Sequence, residues 1–133
     1  MSNLTITNVD LGSVILKDAQ LRDETLTLAG AVTVKEGTIL ARDSATLKLI
    51  PYVKGGSTNG DGIPKAILTY QVVSTGAGDT PIRAMVSGEV KAGRLVIFAD
   101  GNASNVDSVV LDELRDYSLI SISVQELNIL DNQ

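Results

Sequence analysis

The chain has 133 residues, a formal net charge of −5, one Phe, and no Cys, His or Trp. That length suits one domain with one modest core, and the missing Cys and His exclude disulfides, thiol chemistry and Cys/His metal sites. The acidic balance, with no basic stretch interleaved with aromatics, argues against a nucleic-acid surface. The apolar residues are mostly aliphatic, and β-branched Val and Ile favour sheets, so a mainly β fold is expected, with one short helix near the C-terminal end.

Residues 1–29 carry small apolar groups, Leu4, Ile6 and Val9, then Val14-Ile15-Leu16 and Leu26-Thr27-Leu28, separated by the polar stretches 10–12 and 18–24. The pattern has no helical period and too little continuous apolar surface for a core of its own. Two readings are open for it. The segment forms edge strands of the same domain, or it is an extended arm that completes its hydrogen bonding on another protein by strand addition.

The folded body begins at Gly30-Ala31-Val32-Thr33-Val34, with a turn at Lys35-Glu36-Gly37. Two β-prone runs, 38–42 and 47–52, are joined by Asp43-Ser44-Ala45-Thr46, whose first two residues suit the opening positions of a type I turn. This predicts a hairpin. Pro51 has no N–H and is expected to end the pairing, while Leu47, Leu49 and Tyr52 suggest one inward and one outward face. The run Gly55-Gly56-Ser57-Thr58-Asn59-Gly60-Asp61-Gly62 reads as a loop tolerant of positive φ. A strand is expected over 66–73 and another loop over 74–80. Ile82, Ala84, Val86, Gly88 and Val90 then recur at period two, the strongest strand pattern in the chain. Ile39, Leu49 and Val86 are expected in the core.

Beyond the turn at Lys91-Ala92-Gly93, the spacing predicts a helix over 106–117. Ser104 is its expected N-cap with Asp107 three residues on, and its apolar face is expected to hold Val106, Val109, Val110, Leu114 and Tyr117. Residues 119–124 alternate into a closing strand. In the tail, residues 125–133, Leu127, Ile129 and Leu130 either cover the sheet or contact a neighbour.

Signals for chemistry are absent or incomplete. Without His, a nucleophilic triad would need a Ser–Lys arrangement, and no Ser-x-x-Lys occurs. Gly60-Asp61-Gly62 and Gly76-Ala77-Gly78 lack the third glycine of a dinucleotide loop. Asp100, Asn102 and Ser104 imitate the start of a calcium loop, but Asn105 and Leu111 stand where the sharp-turn Gly and the bidentate Glu belong. Glu89 with Asp79 or Asp100 is the remaining carboxylate pair for a hydrolase, without the aromatic platforms that sugar sites use. No catalysis, cofactor or metal is expected. Met1-Ser2-Asn3 lacks the basic start of a secretory signal, and the longest apolar run is far below a membrane span, so no membrane is expected either.

The entry Gly37-Thr38-Ile39-Leu40-Ala41-Arg42-Asp43, the return Lys48-Leu49-Ile50-Pro51-Tyr52, the Gly-rich loop and the strand Val86-Ser87-Gly88-Glu89-Val90 occur in that order. Over about residues 30–124 this arrangement resembles the head decoration protein family of lambda-like bacteriophages. The resemblance implies a β-clip-like decoration domain over 30–124, preceded by a capsid-binding arm over 1–29. It further implies a homotrimer at three-fold positions on the outer capsid surface, with the major capsid protein as partner. The arm residues implied in binding are Leu4, Ile6, Val9, Val14, Ile15 and Leu16, and the location implied is the virion after synthesis in the host bacterial cytoplasm. The arm here is richer in β-branched residues and Leu than the polar, Pro-rich arms of that family. The alternative is a trimeric β module of a phage tail or secreted appendage that binds glycans, against which the scarce aromatics count.

Overall fold

The computed structural model describes residues 14–122. In chain order it contains β1 (Ile15–Leu28), β2 (Thr33–Val34), β3 (Ile39–Arg42), β4 (Leu49–Pro51), β5 (Pro64–Leu68), β6 (Val72–Val73), β7 (Gly78–Lys91), a 3-10 turn (Ala92–Arg94), the helix α1 (Ser108–Asp116) and β8 (Leu119–Ile122). The fold is mainly β with a single short helix among the described residues. The strands pair in the order β1–β4–β3–β5–β7, and β7 returns to pair with β1. This closes a five-stranded, barrel-like ring, and closure removes the exposed edges that an open sheet would have to protect. β8 lies outside the ring on β7, and β2 pairs with β6 in a separate two-stranded sheet.

Two apolar clusters explain why several strands read as continuous hydrophobic runs. Leu26, Leu28, Leu40, Leu49, Ala66, Leu68, Ile82 and Ala84 come from all five ring strands and fill the interior, with Val34 and Val72 of the small sheet added to them. Ile39, Ala41, Ile67 and Met85 point the other way, where Leu95, Ile97, Val110, Leu114 and Leu119 cover them. Successive residues of β3 and β5 therefore supply both clusters, and both faces of these strands are buried. A fully buried aliphatic side chain contributes about 1.5–3 kcal/mol, so this two-sided burial dominates the stability of the ring.

The predicted hairpin is present: Leu40 pairs with Pro51, Ala41 with Ile50 and Arg42 with Leu49. Its turn is held by Asp43, whose carboxylate accepts from Ala45 N at 2.8 Å and Thr46 N at 3.3 Å. Leu49 fills the interior and Tyr52 joins the outer cluster, while Leu47 is exposed at φ 65°. Ile39 and Leu49 are fully buried, and Val86 is half-buried against the interior cluster.

Three local expectations change. The strand expected over 66–73 is split, because β5 pairs with β3 and β7 while β6 leaves to pair with β2. The helix cap is Asp107, not Ser104: its carboxylate accepts from Val109 N at 3.1 Å and Val110 N at 3.2 Å, and a cap satisfies N–H groups that the helix itself cannot. Of the expected helical face, Val110 and Leu114 are buried, Val106 packs against them partly buried, and Val109 and Tyr117 are exposed. A nine-residue helix lying on a sheet buries a stripe about one residue wide per turn, narrower than the full apolar pattern.

Gly37 marks the tightest crossing. It has φ 89°, and a Cβ built there would lie 2.0 Å from the Arg94 carbonyl oxygen. Its own N–H donates to Leu68 O at 2.8 Å and its carbonyl accepts from Val96 N at 2.9 Å, so the backbone has no freedom to withdraw. Gly37→Ala is expected to cost about 3 kcal/mol or more through positive-φ strain and overlap, measured as a lower midpoint in chemical denaturation.

Candidate functional site

At one end of the ring, β7 stops at Lys91 and hands the chain to the 3-10 turn. Two neighbours flank that last residue. On one side its N–H donates to Val14 O at 2.9 Å, next to the Ile15–Val90 pair of the antiparallel β1–β7 ladder. On the other side Lys91 pairs with Ile122 of the parallel strand β8. β1 enters and β8 leaves at this same end.

Val14 is the root of the entering strand. Its side chain is 1% exposed within the outer cluster, and its N–H donates to the Glu36 carboxylate at 3.1 Å. Glu36 is placed by the Lys35-Glu36-Gly37 turn, where Thr38 N and Oγ1 both donate to Lys35 O. The sequence marked this tripeptide only as a turn. Its second role depends on a partner 22 positions away, which local pattern does not reveal.

The structure brings Val14, Ile15 and Leu16 together at the start of β1, with Val14 inside the core and Ile15 and Leu16 half-buried. Leu4, Ile6 and Val9 lie outside the described residues, as do Leu127, Ile129 and Leu130. Residues 15–28, for which two sequence readings were open, form β1 along the whole of β7, from Ile15–Val90 to Leu28–Gly78.

Beside this end, α1 is fastened over the outer cluster. Tyr52 OH donates to Glu113 Oε1 at 3.2 Å. Lys54 donates to Asp107 at 2.6 Å and to Asn105 O at 3.1 Å, and Lys65 Nζ stands 3.9 Å from the centre of the Tyr117 ring. Exposed ion pairs contribute only about 0–1 kcal/mol, so buried Val110 and Leu114 hold the helix and these polar contacts set its orientation. The Lys54 ammonium and the two helical N–H groups hold the Asp107 carboxyl below the usual carboxylate range.

Concave regions lie elsewhere among the described residues. A cleft of about 590 Å³ is lined by Asp23, Glu24, Lys48, Tyr70, Ile82 and Arg83 among others. Its charges are already engaged: Arg42 donates to both Glu24 oxygens at 3.1 and 2.8 Å, Arg83 lies 3.8 Å from Asp23, and Lys48 pairs with Asp79. An apolar groove of about 320 Å³ runs along Leu28, Gly30, Val32, Ile50, Pro51 and Phe98.

Of the carboxylates singled out for hydrolysis, Glu89 and Asp79 are not assembled. Glu89 and Asp79 sit ten positions apart on the single strand β7, roughly 33 Å at strand rise, whereas paired glycosidase carboxylates stand within about 9.5 Å. Asp79 is held by Lys48 and Thr27, Lys48 first in strength, which keep its carboxyl below the usual range. Asp100 accepts from Asn105 Nδ2 at 2.8 Å. Among the described residues there is no group of three or more His, Cys, Asp or Glu placed to hold a metal ion, and no helix is long and apolar enough to cross a membrane.

Burial, then the neighbouring Glu113 charge, push the Tyr52 phenol from 10.0 up to about 12. A folded-state value above the unfolded one stabilises the fold below pH 10, and that contribution is lost as pH rises from about 10 to about 12. Two pH units correspond to about 2–3 kcal/mol. Denaturation of the wild type is therefore expected to weaken across that window, and Tyr52→Phe is expected to flatten the Tyr52 part of the slope. Val14→Ala removes buried methyl groups at the strand root and is expected to cost about 2 kcal/mol, read from the same denaturation curves near neutral pH.

A family model described as Bacteriophage lambda head decoration protein D matches residues 4–118. No curated protein matches the chain.

Proposed function

From a chain that belongs to the bacteriophage lambda head decoration protein D family, and so to a family of phage capsid decoration proteins, we propose a homotrimeric cement of the β-clip type that stabilises the shell. It sits at three-fold positions on the outer surface, after synthesis in the host bacterial cytoplasm, and contacts the major capsid protein through an arm whose apolar residues Leu4, Ile6 and Val9 are rooted on the barrel at Val14, Ile15 and Leu16. The observation that carries this reading is that the family match begins at residue 4. It takes in Leu4, Ile6 and Val9 together with the barrel.

Physical chemistry supports the division of labour. Val14 is rooted in the core and by Glu36, so it works as the anchor, and the apolar residues ahead of it supply the contact. Adhesion of this kind needs no reactive group, and the charged clefts of the barrel are already paired within the chain. The strength comes from number. Three arms on one trimer act at roughly millimolar effective concentration, and avidity exceeds a single contact by about 10² to 10⁴.

The test is to mix purified protein with capsids lacking decoration, then image the shells and measure co-sedimentation. Wild-type protein is expected to appear as three-fold density. Replacing Leu4, Ile6 and Val9 together by Ser is expected to lower capsid affinity at least ~10-fold with the denaturation midpoint unchanged. Equal binding by wild type and this variant would remove the arm from the account. Any truncation in such a series has to stop ahead of Val14, because a cut beyond it strips a core side chain and confuses binding with folding.

A further inference from the structure

We propose that the charged cleft beside the middle of β1 is a binding site for a neutral saccharide, a function separate from capsid binding and not resting on it. Asp23 and Glu24 of β1, Arg83 of β7, Leu47 and Lys48 of the β3–β4 turn and Tyr70 of the β5–β6 connection meet there. Its volume of about 590 Å³ is that of a small-ligand cleft.

Two side chains in the cleft are larger and more apolar than the fold requires. Leu47 is 67% exposed at φ 65°. The turn holds it in that conformation: its N–H donates to Asp43 O at 2.7 Å, and its carbonyl accepts from Arg42 Nη1 at 2.9 Å. Gly or Asn would fill such a position with little strain, whereas Leu adds strain and leaves its side chain in water. Strain kept at a surface position that packing does not offset points to a use for the side chain. Tyr70 is 46% exposed, and its hydroxyl accepts from the backbone N–H of Arg83 at 3.3 Å, which sets the ring against β7. Of the three tyrosines, Tyr52 is buried and Tyr117 carries Lys65 on its ring, whereas Tyr70 lines the cleft.

The charges around these two side chains select the class of ligand. Asp23 and Glu24 oppose an anion, Lys48 and Arg83 oppose a cation, and the two signs balance. Arg42 and Asp79, the partners of Glu24 and Lys48, cancel as well. A phosphate backbone needs net positive charge and is disfavoured. A protein surface fits poorly too, because charged groups are costly to dry and are depleted from the core of protein interfaces. Sugar hydroxyls both donate and accept, so they can serve both signs at once. Glu24 is gripped by Arg42 at 3.1 and 2.8 Å and Lys48 by Asp79, so these groups are placed before a ligand arrives and lose little freedom on binding. Arg83 adds a guanidinium with five N–H donors, its Nε 3.8 Å from Asp23 and outside hydrogen-bond distance. The apolar face of a pyranose ring then lies against Tyr70 and Leu47.

With three Tyr and no Trp in the chain, tyrosine fluorescence reads the cleft directly. Full-length protein is titrated with the neutral hexamers of glucose, N-acetylglucosamine and mannose, and with the galacturonic acid hexamer as a charged control, and amide NMR shifts at Tyr70 and Arg83 are followed in parallel. At least one neutral hexamer is expected to move these signals, and the acidic one is not. Tyr70→Ala and Leu47→Gly are each expected to weaken that binding at least ~5-fold, whereas Tyr117→Ala leaves it unchanged. Because Leu47→Gly relieves the strained backbone, its denaturation midpoint is expected to equal or exceed that of wild type while binding falls. A wild type that responds to no neutral hexamer overturns the proposal, and in that case loss of capsid binding by Tyr70→Ala gives the cleft to a protein surface. Equal binding by wild type and both variants, or preference for the acidic hexamer, overturns it too. So does a Leu47→Gly variant with a lowered midpoint, because the side chain then serves the fold.

Discussion

The structure depends on one strand with several neighbours. β7 pairs along one edge with β1 throughout, and its other edge is shared in turn by β5, at Ala84 and Met85, and by β8, from Gly88 to Lys91. A straight strand cannot follow the closed ring and then present the same edge to a strand outside it. The change of partner coincides with irregular register in β1 between Ile15 and Leu21 and with Gly88 at φ 124°, where a Cβ would lie 2.7 Å from both Asp18 O and the Met85 side chain. Bulges of this kind bend a strand and raise its twist. Here the bend lets one strand both close the ring and carry β8.

That arrangement also decides how much of the molecule is sticky. Ring closure pairs the backbone edges of β1, β3, β4, β5 and β7, and among the described residues strand edges remain at β8 and the small β2–β6 sheet. A decoration protein concentrated on a capsid needs this restraint, since a long flat edge would recruit its own copies. Val14 holds the start of β1 through packing and through two hydrogen bonds, one from its own N–H and one to its carbonyl oxygen.

The charge distribution fits the same division. Residues 99–133 hold Arg115 against seven acids, whereas residues 31–98 hold eight bases against five acids. The helix takes up part of that imbalance internally, with Lys54 on Asp107 and Arg115 on Asp112. At 0.15 M salt, charges further apart than about 8 Å are largely screened, so the residual acidity acts only on surfaces already close.

Much of the fold was legible in the sequence because its signals are local. The period-two run ending at Val90, the Asp43 turn, the short helix and the closing strand each follow from side-chain spacing or from one residue's hydrogen-bonding habit. The class of function was legible through the resemblance carried by residues 37–43, 48–52 and 86–90, and the family match over residues 4–118 supports a phage capsid decoration role. Three things were decided only by tertiary structure. Residues 15–28 became a full strand because β7 supplies a partner 14 residues long, an edge that no local pattern in β1 could announce. Asp107 took the helix cap from Ser104 because its carboxylate faces both the helical N–H groups and Lys54, which comes from 53 positions away. Glu36 became the clasp of the strand root because the crossing at Gly37 and Arg94 carries it there. In each case the determining partner is distant along the chain, and single-sequence periodicity reports only on neighbours within a turn or a strand.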